Sequence, residues 1–412
     1  MSRVACIILG GGRGTRLFPL TTKRSKPAIC FGGRYRLIDI PLSNAINSNI
    51  FKIFVVTQFL STSVHRHVYQ TYQLGRFFNG FIDLLAAEEK ISHHVSYQGT
   101  ADAVRQNLSY FKEISTDYFL ILSGDQIYNL DFRKMVSFAQ ETNADMVIAA
   151  LPVDADHARR MGILKINSHQ FITDFHEKPQ TSELHLKLAT FEGSNRFLGS
   201  MGIYLFKREA LFRLLEEDNR DDFGRHLIPD MVSQGSVAAY IHDGYWEDIG
   251  TIESFYKANI ALTSPTSTID LSNEERPIYT SKYNLPGPKI ENTMIEHSLL
   301  CEGVRCQAEK ITHSILGPRS VIGKGTVVNQ SYLMGNDFYT MPVPDPKLPS
   351  ELKIGKNCLL EGVILDKNVS IGDNVTLTNP KKLYHYDDEG IYIRDGIIVV
   401  TKNTHIPSNY TL

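Results

Sequence analysis

Residues Ile7 to Asp39 read IILGGGRGTRLFPLTTKRSKPAICFGGRYRLID. The apolar run from Val4 to Leu9 that leads into it predicts a buried strand. The strand empties into Gly10-Gly11-Gly12-Arg13-Gly14, then Thr15-Arg16. Glycines let a backbone approach a ligand closely, and a nest of amides can cradle polyphosphate. Arg13, Arg16, Lys23, Arg24 and Lys26 put five cationic groups close by. Together these features predict a nucleoside triphosphate site. Two other glycine loops do not fit. A Walker A loop needs Gly-Lys-Ser/Thr at its end, which is missing here. A dinucleotide loop needs a third glycine where Thr15 stands.

Working outward, residues 1–262 alternate apolar runs with helical patterns. Lys52–Thr57, Tyr118–Leu122, Asp145–Leu151 and Ser200–Phe206 read as strands; Ala101–Phe111, Phe132–Glu141 and Ile252–Leu262 read as helices. Such alternation predicts a mostly parallel sheet covered on both faces. Ligands of these sheets sit beyond the C-terminal strand ends. Gly10 and Asp125 both follow strands, so they should face one crevice.

Residues 263–289 form a surface linker rich in Ser, Thr, Pro and Asn. Beyond it the period changes. Ile315, Val321, Val327 and Leu333 are evenly spaced, as are Leu359, Leu365, Ile371 and Leu377. This hexapeptide repeat predicts a parallel β-helix over 290–412, with each coil burying its apolar residues against the next. Asp337 to Glu351 interrupts it with four prolines and reads as a protruding loop.

A net charge of -2 gives no bulk attraction to nucleic acid or an anionic membrane. No run approaches the roughly 20 apolar residues of a membrane span. Cys6, Cys30, Cys301, Cys306 and Cys358 lack paired zinc spacing, and their odd number suits reduced thiols in a cytoplasm. His65, His67, His93 and His94 lack a helical His-x-x-x-His spacing and read as exposed or loop histidines. Tyr69, Tyr72, Phe77 and Phe78 read as core or interface rather than a stacking platform.

Several motifs in order carry a family resemblance. They are the opening segment with Lys26-Pro27-Ala28, Arg36-Leu37-Ile38-Asp39 and Leu42-Ser43-Asn44, then Gly99-Thr100-Ala101-Asp102, Leu122-Ser123-Gly124-Asp125, Glu177-Lys178-Pro179, Ser200-Met201-Gly202 and Trp246-Glu247-Asp248-Ile249-Gly250-Thr251. The chain resembles the glucose-1-phosphate adenylyltransferase (ADP-glucose pyrophosphorylase) family over nearly its whole length. The resemblance implies a Rossmann-like nucleotidyltransferase domain with a left-handed β-helix. It also implies that ATP and glucose 1-phosphate give ADP-glucose and pyrophosphate, for glycogen or starch synthesis in the cytoplasm.

By position, the resemblance makes Arg16 and Lys26 triphosphate ligands and Asp125 and Asp248 carboxylates of one Mg²⁺ site. Lys178 would hold the sugar phosphate, and Glu177 and Ser200 the sugar hydroxyls. Gly10, Gly11, Gly12, Tyr97, Gly99, Thr100, Asp102 and Gly162 complete the substrate contacts. Two positions depart from the family. Glu89 stands where a base-reading glutamine is usual, leaving UTP or dTTP as alternative nucleotides, and Gln126 replaces a frequent histidine. Asp366-Lys367-Asn368 and the segment around Lys402 resemble the plant and cyanobacterial branch, where such lysines bind phosphorylated effectors; Lys23 matches an activator-binding lysine. The same resemblance implies a homotetramer and leaves open a regulatory, catalytically weak subunit. The intact Arg16, Lys26, Asp125, Lys178 and Asp248 speak for a catalytic one.

Overall fold

The computed structural model describes residues 3–75, 79–87, 96–179, 196–344 and 348–412. The readings placed on Glu89, His93, His94, Phe77 and Phe78 fall outside them. The opening run forms strand β1 (Val4–Leu9), its side chains buried on both faces. Parallel neighbours flank it: β2 (Lys52–Thr57), which pairs outward with β3 (Phe81–Ala86), and β4 (Tyr118–Ser123). Near-continuous apolar strands of this kind need cover on both sides, and two clusters supply it. One is built around Phe111, Phe119 and Phe206, the other around Ile8, Phe132 and Met201.

The expected mostly parallel sheet holds for only half of the domain. Further along come β5 (Gln126–Tyr128), β6 (Met146–Val153), β7 (Gly162–Ile166), β8 (Ile172–Glu177) and the long β9 (Phe197–Lys207). β9 runs antiparallel to β4, β6 and β7, and β8 runs antiparallel to β7. Only β10 (Val237–Ile241) is parallel to its partner β6. Strand residue types alone do not encode direction, so periodicity could not separate these cases. The helix read over Ala101–Phe111 is two helices, Thr100–Gln106 and Leu108–Lys112, meeting at Asn107.

The histidine reading needs correction for His65 and His67. Both lie on the helix Thr62–Thr71. His67 is buried, with Nε2 2.6 Å from the Asp39 carboxylate; that carboxylate also accepts from Tyr72 and Thr280 hydroxyls. This node ties the linker to the first domain. Arg276 adds a second tie by donating to the Leu130 carbonyl and to Asn129. Tyr69 is 74 % exposed, so it is not core.

After the helix Ile252–Ala261 the chain reaches the first solenoid strand, Lys289–Ile290. Coils stack in parallel register: Lys289 on Arg305 on Val321, Met294 on Lys310 on Val327, and Leu299 on Ile315 on Tyr332. Val304, Ile311, Leu316, Val328 and Leu360 fill the prism. Asn357, Asn374 and Asn409 occupy left-handed corners, a conformation asparagine tolerates. The loop around Asp337 to Glu351 closes at its base by a Thr340–Glu351 bridge, and Tyr339 donates to the Gly303 carbonyl.

The two domains share a core. Leu17, Phe31 and Phe255 pack with Ile315, Tyr332 and Val399, all fully buried. A buried ion pair joins Arg24 to Asp366, the Arg24 Nη2 lying 2.6 Å from each carboxylate oxygen.

Candidate active site

Parallel β1 and β4 end side by side, which puts the glycine loop and Asp125 at one edge. The Gly10 N–H donates to the Val56 carbonyl and the Gly124 N–H to the Leu9 carbonyl, so the root of the loop is paired on both flanks. Gly14 turns the loop back in the left-handed region (φ 62°), where an added Cβ would meet Thr21 at 2.9 Å. The loop then forms one 3-10 turn, Thr15–Leu17, that carries Arg16.

Two lobes of one cleft meet at Asp125. The first, about 650 Å³, is lined by Gly11, Gly12, Arg13, Tyr97, Gly99 and Thr100. The second, about 500 Å³, is lined by Arg16, Gly162, Lys178, Ser200, Trp246 and Asp248. Ser123, Asp125, Gln126 and Glu177 border both. Volumes of this order hold metabolite-sized ligands.

Asp125 and Asp248 are brought together by a short ribbon. β5 follows Asp125 directly and pairs antiparallel with β11 (Trp246–Asp248), placing Asp248 opposite Gln126. The Lys26 ammonium lies 2.5 Å from Asp125 and 3.8 Å from Asp248, a cation held between two carboxylates. Burial opposes charge on Asp125, but Lys26, Ser123 and Arg16 outweigh it and hold that carboxyl below its ordinary value. Desolvation and the charge of Asp125 push the Asp248 carboxyl up instead. Gly250 keeps the next turn open: a Cβ there would lie 3.0 Å from Asp248 Oδ2 and 3.6 Å from Arg16 Nη1. Thr251 then caps the following helix through a reciprocal bond with Ser254.

Lys178 is a non-glycine residue with positive φ (51°), fixed by its N–H to the Met161 carbonyl at 2.9 Å. Its ammonium lies 3.0 Å from Glu177 Oε1. Gly162 gives Glu177 room, since a Cβ would sit 3.0 Å from Glu177 Oε2. Ser200 is buried beside the Gly202 N–H. Gly99 is needed for close approach: a Cβ would meet the Asp221 carbonyl at 2.2 Å.

Three of the active-site residues singled out from sequence line neither lobe; one is Lys26, whose ammonium is turned onto Asp125 and Asp248. Gly10 lines neither lobe and serves the sheet edge. Asp102 also lines neither; it accepts from the Gln98 N–H and from Gln106 at the start of its helix. Gln126 donates to the Met201 carbonyl and accepts from Trp246 Nε1, so it braces the ribbon. Sequence reasoning missed Gln58, Tyr204, Asp222, His157 and Arg160 in the lobe walls. Their signal was weak, because they come from separate loops with no shared spacing.

Lys367 and Lys402 converge on Asp337 at the seam between domains. Lys402 lies 3.2 Å from it, and the Lys367 charge helps lower its carboxyl against burial. The Lys367 side chain is buried there. Lys23 is exposed, and its neighbour Arg24 makes the contact with the solenoid. Among the described residues no helix is long and apolar enough to cross a membrane, and no group of three or more His, Cys, Asp or Glu side chains could hold a metal.

Comparison with known families matches residues 5–264 to the nucleotidyl transferase model. Residues 283–411 match the model of the GLGC left-handed parallel beta-helix domain.

Proposed function

The chain belongs to the nucleotidyl transferase family, and from that premise we propose that it makes ADP-glucose and pyrophosphate from ATP and glucose 1-phosphate. The observation that carries this reading is the meeting of two lobes at Asp125, with the Lys26 ammonium between Asp125 and Asp248. The pairing of a nucleotidyl transferase domain with a GLGC-type β-helix supports the choice of ATP and glucose 1-phosphate.

In this reading ATP occupies the glycine-loop lobe, its phosphates on the backbone near Gly11 and Gly12 with Arg13 and Arg16. Glucose 1-phosphate occupies the second lobe, its phosphate on Lys178 and its hydroxyls on Glu177 and Ser200. A sugar-phosphate oxygen attacks the α-phosphorus, the bond to the β-phosphate bridging oxygen breaks, and pyrophosphate leaves. The attacking phosphate is already nucleophilic, so this chain has to position two polyanions and neutralise charge. Asp125 and Asp248 offer hard oxygen donors of the kind Mg²⁺ accepts together with phosphates. Bound there, Mg²⁺ would neutralise the charge that grows on the departing pyrophosphate. Lys26 adds a fixed positive charge at the same point.

Phosphorylated effectors would bind at the domain seam, where Lys367 and Lys402 supply charge beside Arg24. A homotetramer fits the uncovered first coil of the solenoid, where Ile290 and Met294 are 43 % and 55 % exposed. Glycogen or starch synthesis in a cytoplasm is the setting this activity serves. The test is pyrophosphate release with ATP, UTP and dTTP in turn, each with glucose 1-phosphate, with and without 3-phosphoglycerate. ATP should be preferred and activated; preference for UTP or dTTP would overturn the assignment of base.

A further inference from the structure

The solenoid sends a hairpin back onto the catalytic domain. Its strands are His385–Asp388 and Ile391–Arg394, and a second turn joins Arg394 to the strand Ile397–Val400. Asp395 and Gly396 fill that turn with φ 55° and 81°. Positive φ at both central residues makes it the tight hairpin turn that Asp-Gly favours. The strand behind it is anchored, because Ile397 and Val399 belong to the core the two domains share. The turn is therefore a firm projection of the solenoid.

This projection meets the walls of the cleft at two places. At the first, the Glu253 N–H donates to Asp395 Oδ2 at 3.2 Å. Glu253 lies in the first turn of the helix Ile252–Ala261, whose N–H groups have no partner within the helix. A carboxylate there is held by the hydrogen bond and by the helix dipole. That turn follows Asp248 through Ile249-Gly250-Thr251, and its Thr251 and Ser254 line the second lobe. At the second place, the projection meets Phe18, two residues after Arg16. The Tyr392 ring meets the Phe18 ring edge-on at 5.2 Å. The Arg394 guanidinium lies 5.2 Å from the Phe18 ring and 5.3 Å from the Tyr392 ring. Arg394 is itself fixed by the Asp387 carboxylate and the Tyr386 carbonyl.

One piece of the solenoid thus touches both segments that carry Arg16 and Asp248. Those two side chains already approach each other around Gly250. Their separation matters because transfer between two polyanions depends on positioning, and small displacements of the groups that hold them lower the rate. Asp395, Tyr392 and Arg394 line neither lobe, so they can act only through the segments they hold.

We propose that this turn positions the active site from the second domain. Asp395 holds the start of the helix behind Asp248, and Tyr392 with Arg394 holds the segment behind Arg16. The proposal deepens the function given above and rests on that reading of the cleft.

The test compares Asp395→Gly with Asp395→Asn in the full chain. Both replacements suit positive φ, but only asparagine keeps an acceptor for the Glu253 N–H. Asp395→Gly should lower kcat at least about fivefold while KM for glucose 1-phosphate changes less, since Glu177, Lys178 and Ser200 come from other elements. Asp395→Asn should keep kcat within about twofold of wild type. Tyr392→Leu should raise the Kd for ATP at least about threefold, measured by calorimetry without glucose 1-phosphate, and Tyr392→Phe, which keeps the ring, should not. Melting curves show whether each variant is folded; if Asp395→Gly is not, the Tyr392 pair decides. Wild-type kinetics in a folded Asp395→Gly would overturn the proposal, because a merely structural contact would lower stability alone. So would Asp395→Asn as impaired as Asp395→Gly, or Tyr392→Phe as impaired as Tyr392→Leu. If the wild type releases no pyrophosphate with ATP, UTP or dTTP, the reading of the cleft falls and the proposal with it. An active wild type beside unaltered variants removes the proposal alone.

Discussion

Arg24→Met isolates what the buried pair across the domain seam contributes. The Arg24 and Asp366 side chains are 7 % and 3 % exposed, and one guanidinium nitrogen reaches both carboxylate oxygens at 2.6 Å. Removing the arginine leaves a buried carboxylate without its counter-charge, which costs about 3–5 kcal/mol. Asp366 keeps one donor, the Lys367 N–H at 2.6 Å, so the lower end, about 3 kcal/mol, is expected. With a urea slope of about 1–3 kcal/mol/M, the midpoint of the transition that undocks the domains should fall by about 1–3 M. Near-ultraviolet circular dichroism reports this seam, because Phe31, Phe255 and Tyr332 are buried in it. Asp366→Asn in the Arg24→Met background removes the stranded charge while keeping an acceptor for the Lys367 N–H. That double variant should return to within about 1 kcal/mol of wild type, since a buried pair is worth little more than its neutral replacement. If the single variant loses less than about 1 kcal/mol, or if the double variant is no better than the single, the seam does not depend on this pair in the way argued.

Asp125→Asn and Asp248→Asn should each lower turnover at least about a hundredfold with folding intact; near wild-type turnover at saturating Mg²⁺ would remove that residue from the metal site. Because the Asp248 carboxyl is raised and would bind metal only when ionised, Mg²⁺ affinity should fall on acidification sooner than for an ordinary carboxylate, and a Mg²⁺ titration across pH in which Asp248→Asn keeps the wild-type profile would contradict this. Lys178→Ala should raise KM for glucose 1-phosphate more than it lowers kcat; a change confined to KM for ATP would exchange the two lobes. Lys402→Ala should raise the effector concentration for half-activation while basal turnover stays nearly unchanged, through a coupling of about 1–3 kcal/mol; a wild-type enzyme indifferent to 3-phosphoglycerate, fructose 1,6-bisphosphate and phosphate would end the regulatory reading.

Sequence pattern was informative where chemistry is local. β1 matches the apolar run Val4 to Leu9, and the solenoid follows its six-residue spacing because each apolar position must point into one prism. Strand direction was not legible. β9 is largely apolar, like β4, yet runs against it, and only the chain path between them decides this. Long-range pairing was equally hidden. Nothing near His67 announces that Asp39 is its partner, or that Thr280 from the linker completes the node. Asp125 and Asp248 could be chosen separately as carboxylates at strand exits and helix starts. Their meeting depends on the β5–β11 ribbon, whose pairing Trp246 and Gln126 reinforce by a side-chain hydrogen bond. That ribbon borders the cleft on one side, and on the other its Ile127 shares a buried cluster with Ile269 and Leu271 of the linker. The positions of the two carboxylates are therefore set by packing on both faces, and the linker, which reads as a mere connector in sequence, becomes part of what holds them.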